Sequence, residues 1–290
     1  MHWSTSTALV LAFHLAQGAT APGQETPVTP AERFQSLMKE YETASGGGAM
    51  SDEERVKFIG KVFRRRHELA HKFVELAESH PDHPIALDAL IQATWQVNST
   101  PWPVDLVGED NAAKQALAQI VRDHLRSDRL GLLCQRVSTG FCKEYETLLR
   151  AVLERNPHRE IRGIACLELA RFLQRRMQRV DMARLSAERA TEFEGLFGGE
   201  YLKELLAQDR GKVTEQIEAL LDRAEKEYGE VRIPDGSTVG EGAGKERFEI
   251  RHLGVGREAP EIEGEDQDGI RFKLSDYRGK VVLLDFWHQQ

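Results

Sequence analysis

Two stretches with the same layout carry most of the information about the fold: Glu78-Ser-His-Pro-Asp-His-Pro-Ile-Ala-Leu-Asp-Ala89 and Glu154-Arg-Asn-Pro-His-Arg-Glu-Ile-Arg-Gly-Ile-Ala165. In each stretch a helical pattern stops, a proline follows, and a new pattern opens with an isoleucine four residues after the proline. Proline ends a helix because it lacks an amide donor and clashes with the preceding turn. The pair therefore predicts repeated helical hairpins that bury their apolar faces against one another.

Outward from these stretches, the helical pattern extends over residues 30–228. Pro30 suits the first position of a helix, and Ser51-Asp-Glu-Glu54 has the spacing of a capping box that opens a helix to about Ser79. Two prolines around one residue predict a loop at Thr100-Pro-Trp-Pro-Val104. Further helices are expected from near Pro84 and at residues 110–126, 141–155, 159–177, 181–193 and 212–228.

The composition changes after residue 228. Residues 229–246 hold five glycines and Pro234 with few apolar side chains, which predicts a linker over residues 229–247. Beyond it, Ile270-Arg-Phe-Lys-Leu274 alternates as a half-buried strand does, after turn chemistry at Gln267-Asp-Gly269. The continuous run Val281-Val-Leu-Leu-Asp-Phe286 is typical of a strand buried on both faces.

Residues 254–287 combine several motifs in a fixed order: Gly254-Val-Gly-Arg-Glu-Ala-Pro260, then Asp268-Gly269, then Leu274-Ser-Asp-Tyr-Arg-Gly-Lys-Val-Val-Leu-Leu-Asp-Phe-Trp287. This order resembles the opening of redoxin domains, the thioredoxin-like family of alkyl hydroperoxide reductases, thiol-specific antioxidant proteins and TlpA-type thiol–disulfide oxidoreductases. The resemblance implies an incomplete α/β thioredoxin-like fold over residues 248–290. The expected fold class is therefore a mainly α helical-hairpin domain followed by the first strands of that fold.

The resemblance also implies thiol–disulfide exchange or peroxide reduction in intact relatives, and Asp285 then matches the acid that thioredoxins bury beneath the active site. Pro260, Gly279, Phe286 and Trp287 belong to the same family framework. In the family a reactive cysteine follows within a few residues, whereas here Trp287 is followed by His-Gln-Gln290. A reactive thiolate needs a lowered pKa, which a helix N-terminus supplies. We therefore expect a truncated redoxin segment, no catalytic residue, a solvated Asp285 and no activity of this chain alone.

The three cysteines, Cys134, Cys142 and Cys166, contain no C-x-x-C spacing. In an oxidising compartment two of them could pair. Gly140 is expected to break the helix between Cys134 and Cys142, so the sequence does not show whether these two side chains face each other. Cys166 lies in an apolar helical stretch, which favours a buried inert thiol.

The N-terminus has a short apolar run and Ala19-Thr-Ala21, an A-x-A cleavage pattern, so residues 1–21 are expected to form a signal peptide for export to the periplasm or beyond. The alternative is a disordered tail. No stretch is apolar for the length of a membrane span. The net charge of −8 argues against a nucleic-acid partner, and Arg64-Arg-Arg66 fits a solvated helix face.

Two motifs suggest metal sites but lack the rest of the pattern. His67-Glu-Leu-Ala-His71 matches H-E-x-x-H, yet Val74 and Ala77 stand where a metzincin needs glycine and histidine, so a solvated helix face is expected. Aligned as a calcium loop, residues 264–275 would place Gly264 at the first ligand position and Ser275 at the twelfth. Neither residue supplies the carboxylate that these positions need, so a hairpin turn is favoured. We expect no metal or cofactor. The alternative function is a helical protein-interaction module with a vestigial redoxin tail.

Overall fold

The computed structural model describes residues 28–43, 52–94, 111–140, 142–254, 256–265 and 268–285. The expected signal peptide, the loop around Trp102, and residues 286–290 with Phe286 and Trp287 lie outside these ranges. The described part is mostly helical, so the mainly α class is confirmed. None of the helices described there combines the length and apolarity that crossing a bilayer requires.

Eleven α-helices follow one another through the described residues. Their bounds are α1 Pro30–Thr43, α2 Asp52–Ser79, α3 Ile85–Ala93, α4 Ala112–Gln119, α5 Gly131–Val137, α6 Lys143–Arg155, α7 Arg159–Ala183, α8 Ala187–Phe197, α9 Gly199–Leu206, α10 Arg210–Tyr228 and α11 Val239–Phe248. Single π-helical turns extend α4 over Ile120–His124 and α11 over Glu249–Leu253.

Helix α7 lies at the centre of the helical body. It packs against α5, α6, α8, α10 and α11, and most of its residues from Ile161 to Gln174 are buried. Because it is covered on nearly every side, its apolar residues do not form a single stripe. One large hydrophobic core contains residues from each of the helices α1 through α7 and from α10 and α11. A smaller core contains residues from the end of α7, α8 and α9.

The two proline-containing stretches form the expected helix–turn–helix connections. Helix α2 ends at Ser79 and α3 begins at Ile85, while α6 ends at Arg155 and α7 begins at Arg159. The predicted helices at residues 141–155 and 212–228 match α6 and α10 within two residues, and α7 extends beyond its predicted end. The short helices α5 and α9 were not predicted.

The prediction of a linker over residues 229–247 is wrong. Arg232 and Thr238 form a β-bridge, and α11 begins at Val239 behind a capping box in which Thr238 and Glu241 bond each other's backbone amides. Gly242 is buried, and a Cβ there would lie 2.6 Å from Leu167 Cδ2. The glycines of this segment therefore allow close packing of α11 on α7, which composition alone does not distinguish from flexibility.

The predicted hairpin is present after α11. Strand β1, Glu263–Glu265, pairs antiparallel with β2, Arg271–Lys273, and Gly269 takes a positive φ in the connecting turn. A 3₁₀ turn, Leu274–Tyr277, follows β2. This hairpin is the only sheet among the residues that the structure describes.

The prediction of a buried strand at residues 281–286 is wrong for its described part. Val281–Asp285 has no regular structure, and its side chains are exposed. A strand buried on both faces needs neighbouring strands and covering helices. No described residue pairs with it, so its apolar pattern has nothing to pack against.

Candidate functional site

The three thiols are free and two of them, Cys134 and Cys166, are buried. Burial raises the pKa of Cys142 and of Cys166 to about 12, and it raises the pKa of Cys134 further still. The Cys166 Sγ donates to the carbonyl oxygen of Leu220 at 3.3 Å. Because only the thiolate is a nucleophile, these thiols are unreactive at neutral pH. The expected burial of Cys166 is confirmed.

The region around Gly140 separates Cys134 from Cys142, as expected. Helix α5 ends at Val137 and α6 begins at Lys143, so the two cysteines do not share a helix. Neither residue forms a disulfide.

The family-implied positions do not meet at a site in the described residues. Asp285 is exposed and lies in no strand. Pro260 is partly buried, and Gly279 has a φ of +83° in the turn after the 3₁₀ helix. Phe286 and Trp287 lie outside the described residues.

The H-E-x-x-H motif brings two histidines together without a third ligand. The Nε2 atoms of His67 and His71 are 3.2 Å apart, and their rings meet edge to face. Both rings are partly buried rather than on an open face, while Glu68 is exposed and pairs with Arg65 at 3.2 Å. Throughout the described ranges no three His, Cys, Asp or Glu side chains are grouped as metal ligands. Residues 266 and 267 of the 264–275 loop lie outside those ranges.

The basic run Arg64–Arg66 is only partly a solvated face. Arg64 and Arg65 are exposed, and Arg65 pairs with Glu40 of α1 at 2.7 Å. Arg66 is partly buried, with its guanidinium 4.9 Å from the ring centre of Tyr41. These contacts attach α2 to α1, so two of the three arginines contribute to packing between helices.

Two ionic networks on opposite parts of α7 hold the carboxylates of Glu146, Glu168 and Glu246. Glu146 of α6 accepts hydrogen bonds from Arg150 and from Arg176 of α7, and Arg176 also donates to the Tyr201 hydroxyl at 2.9 Å. On another side of α7, Arg171 joins the buried Glu168 at 2.8 Å to Glu246 of α11 at 2.7 Å. Since arginines hold all three carboxylates, these clusters fix the helices relative to one another and offer no open acid or base.

A groove of about 780 Å³ opens between α1, α3, α5, the start of α7 and the turn at residues 229–238. Its volume lies in the range of protein pockets that bind small ligands, about 300–1,000 Å³. Leu132 of α5 is 63% exposed although its neighbour Leu133 is fully buried. The lining is largely apolar, with Phe34, Ile91, Leu132, Leu133, Ile161, Ile164, Ile233 and Pro234.

Charged residues surround the apolar lining. Arg129 forms an ion pair with Asp88 of α3, and Asp128, Arg136 and Arg232 complete the charged part of the lining. Burial lowers the pKa of Arg136 to about 10, so its guanidinium is still charged at neutral pH. The groove therefore presents apolar surface bordered by both signs of charge.

Asn156 fixes one wall of the groove. Its side-chain nitrogen donates to the carbonyl oxygens of Leu125 at 2.7 Å and Ser127 at 2.8 Å, and its side-chain oxygen accepts from the His158 amide at 2.9 Å. These bonds tie the loop before Asp128 and Arg129 to the turn between α6 and α7. The wall is thus preformed, which lowers the entropic cost of binding.

The sequence analysis did not identify this groove. The apolar run Leu130-Gly-Leu-Leu-Cys134 was the available indication, because it is more apolar than a solvated loop requires. Comparisons of the chain with protein-family models, curated proteins and solved structures find no match. Conclusions about function therefore depend on the chemistry of the groove and of the thiols.

Proposed function

We propose that this chain is a protein-interaction module that binds an apolar segment of a partner protein in the groove between α1, α3, α5 and α7. The observation that carries the proposal is the largely apolar lining of the groove, in which the side chain of Leu132 is 63% exposed. Exposed apolar patches with polar borders are typical of protein interaction sites. The buried thiols, with their raised pKa values, favour binding over thiol chemistry as the way this chain works.

The lining also indicates what kind of segment would bind. An apolar side chain of valine or leucine size gains about 1.5–3 kcal/mol when it is fully buried. The charged border favours acidic or basic residues beside the apolar run of the ligand. Pairs of opposite charge mainly fix the position of the bound segment in the groove and add less to its affinity. The expected ligand is a short apolar run with one charged residue at each end.

Fluorescently labelled peptides with four consecutive valine and leucine residues, flanked by one lysine and one aspartate, test this proposal by anisotropy. We expect saturable binding by the full chain and no binding of a peptide whose apolar run is replaced by serine. L132D should weaken binding at least about tenfold, because about 1.4 kcal/mol corresponds to a factor of ten.

The matched control is L185D. Leu185 is 77% exposed just after α7 and does not line the groove, so this variant should bind as the unmodified chain does. Peptide binding that is absent, or that L132D leaves unchanged, would overturn the proposal.

We also propose that residues 248–285 are a redoxin-type segment without redox activity. The β1–β2 hairpin with its turn at Asp268-Gly269 supports this, as do the positive φ values of Gly256 and Gly279 within the family motifs. Residues 248–285 themselves contain no cysteine, which supports the inactive state of this segment. Export by way of residues 1–21 stays a prediction.

A further inference from the structure

We infer that the groove binds the Val281–Leu284 segment of a second copy of this chain. This inference names the partner of the groove and therefore rests on the proposed function. Both surfaces are apolar and exposed on the same molecule, and each has the size and charge that the other requires.

The segment exposes alternate side chains. Val281 is fully exposed and Leu283 is 93% exposed, whereas Val282 and Leu284 are about half covered. In an extended chain alternate residues point to the same side and lie about 7 Å apart. Val281 and Leu283 can therefore enter a groove together while the backbone polar groups of the segment remain in water.

The groove suits an extended segment of this kind. Its floor is formed by the buried side chains of Leu133, Ile161, Ile164 and Ile233. A volume of about 780 Å³ leaves room for two aliphatic side chains beside the exposed Leu132. No strand edge in the described residues borders the groove, so binding would depend on side chains rather than on backbone pairing.

Charge also matches. Lys280 precedes the apolar residues of the segment and Asp285 follows them. The groove border offers Asp128 to the lysine and Arg136 or Arg232 to the aspartate. A carboxylate near the half-buried Arg136 guanidinium would be stabilised, because the interaction is less screened there than in bulk water.

A second copy fits better than the same chain. Within one chain Val281 and Leu283 remain exposed and Leu132 remains open, so the segment does not occupy its own groove. Each copy therefore offers one segment and one groove. Reciprocal exchange between two copies would close a dimer with two identical contacts, and the second contact forms at a raised effective concentration.

Sedimentation velocity of the full chain over a concentration series tests the inference. Such small contacts associate weakly, so we expect concentration-dependent dimers in the micromolar range or above. L132D, which changes the groove, and L283D, which changes the segment, should each raise the dimer dissociation constant at least tenfold. Both positions are exposed, and circular dichroism checks that each variant is folded.

The decisive step is to mix the two variants. L132D retains an intact segment and L283D retains an intact groove, so a one-to-one mixture should restore a heterodimer through one remaining contact. L185D should dimerise as the unmodified chain does. A monomer at every concentration, dimers that survive L283D, or a mixture that associates no better than either variant alone would overturn the inference.

The same variants separate this inference from the proposed function. If L283D still binds the labelled apolar peptides while the unmodified chain stays monomeric, the groove binds a foreign partner and only the self-association is wrong. If L283D also fails to bind those peptides, the proposed function itself fails.

Discussion

At the scale of single residues, Gly163 sets the distance between the two helices that pack most extensively. It lies in α7 opposite Tyr228 of α10, and a Cβ at this position would be 2.9 Å from the Tyr228 Cβ and 3.1 Å from its Cγ. The position of the Tyr228 Cβ is fixed by the backbone, so a change of the tyrosine rotamer cannot relieve that contact. Gly163 therefore allows a backbone approach that any larger residue would prevent.

We expect G163A to lower the free energy of unfolding by about 1–2 kcal/mol. Overpacking typically costs about 1–3 kcal/mol, and the better helix propensity of alanine returns up to about 1 kcal/mol. Urea unfolding followed by circular dichroism measures the difference.

The matched control is G195A in α8, where no neighbouring atom lies within 4 Å of the added Cβ. There only helix propensity acts, so this variant should be more stable by about 0.5–1 kcal/mol. Equal effects of the two substitutions would refute the close approach at Gly163.

At the scale of elements, the carboxylates of the partly buried Glu146 and the buried Glu168 pair with arginines of α7 and have opposite consequences for the pH dependence of stability. Burial opposes ionisation of Glu146, but Arg176 and Arg150 outweigh it and hold the Glu146 pKa below its ordinary value of 4.5. For Glu168 burial prevails over Arg171 and raises the pKa. One carboxylate thus favours the folded state at neutral pH and the other favours it in acid.

The pH dependence of unfolding separates the two. Ionised Glu146 contributes stability above pH 4.5 that is lost as the pH falls through its lowered folded pKa, so the deficit of E146Q should shrink in acid. Protonated Glu168 contributes stability below pH 4.5, and this contribution is lost as the pH rises through its raised folded pKa. The free energy of unfolding of E168Q should therefore rise relative to that of the unmodified chain as the pH approaches neutrality. Urea titrations between pH 3.5 and 7 measure both trends, and parallel curves for the two variants would contradict them.

Some elements could be predicted from local pattern and others could not. Helices α6 and α10 have amphipathic periodicity and ends that match their predicted bounds within two residues, and the proline before α7 marks where that helix begins, so local sequence determines these features. Helix α11 contains three glycines, and its packing against Leu167 depends on tertiary contacts that composition does not reveal. Val281–Asp285 has the pattern of a strand, but strand formation needs partners that the described chain does not provide.

At the scale of the whole molecule, the groove is formed by segments far apart in sequence, from Phe34 to Pro234. Periodicity shows which residues are apolar, but it does not show which apolar faces stay open after the helices pack. A helical interaction module could therefore be predicted from the sequence only as the alternative function, and without the location of its binding surface. The same limit applies to the thiols, because the burial of Cys134 depends on the packing of α5 against α7.

The central claim is that the chain acts by binding and that none of its thiols turns over. The most direct measurement is disulfide reduction and peroxide consumption by the purified chain with an excess of dithiol, beside a variant with all three cysteines changed to alanine. We expect both proteins to match the rate without protein, because Cys134 and Cys166 are buried and desolvation raises the pKa of all three thiols, to about 12 for Cys142 and Cys166. Turnover by the unmodified chain that disappears in the cysteine-free variant would contradict the claim.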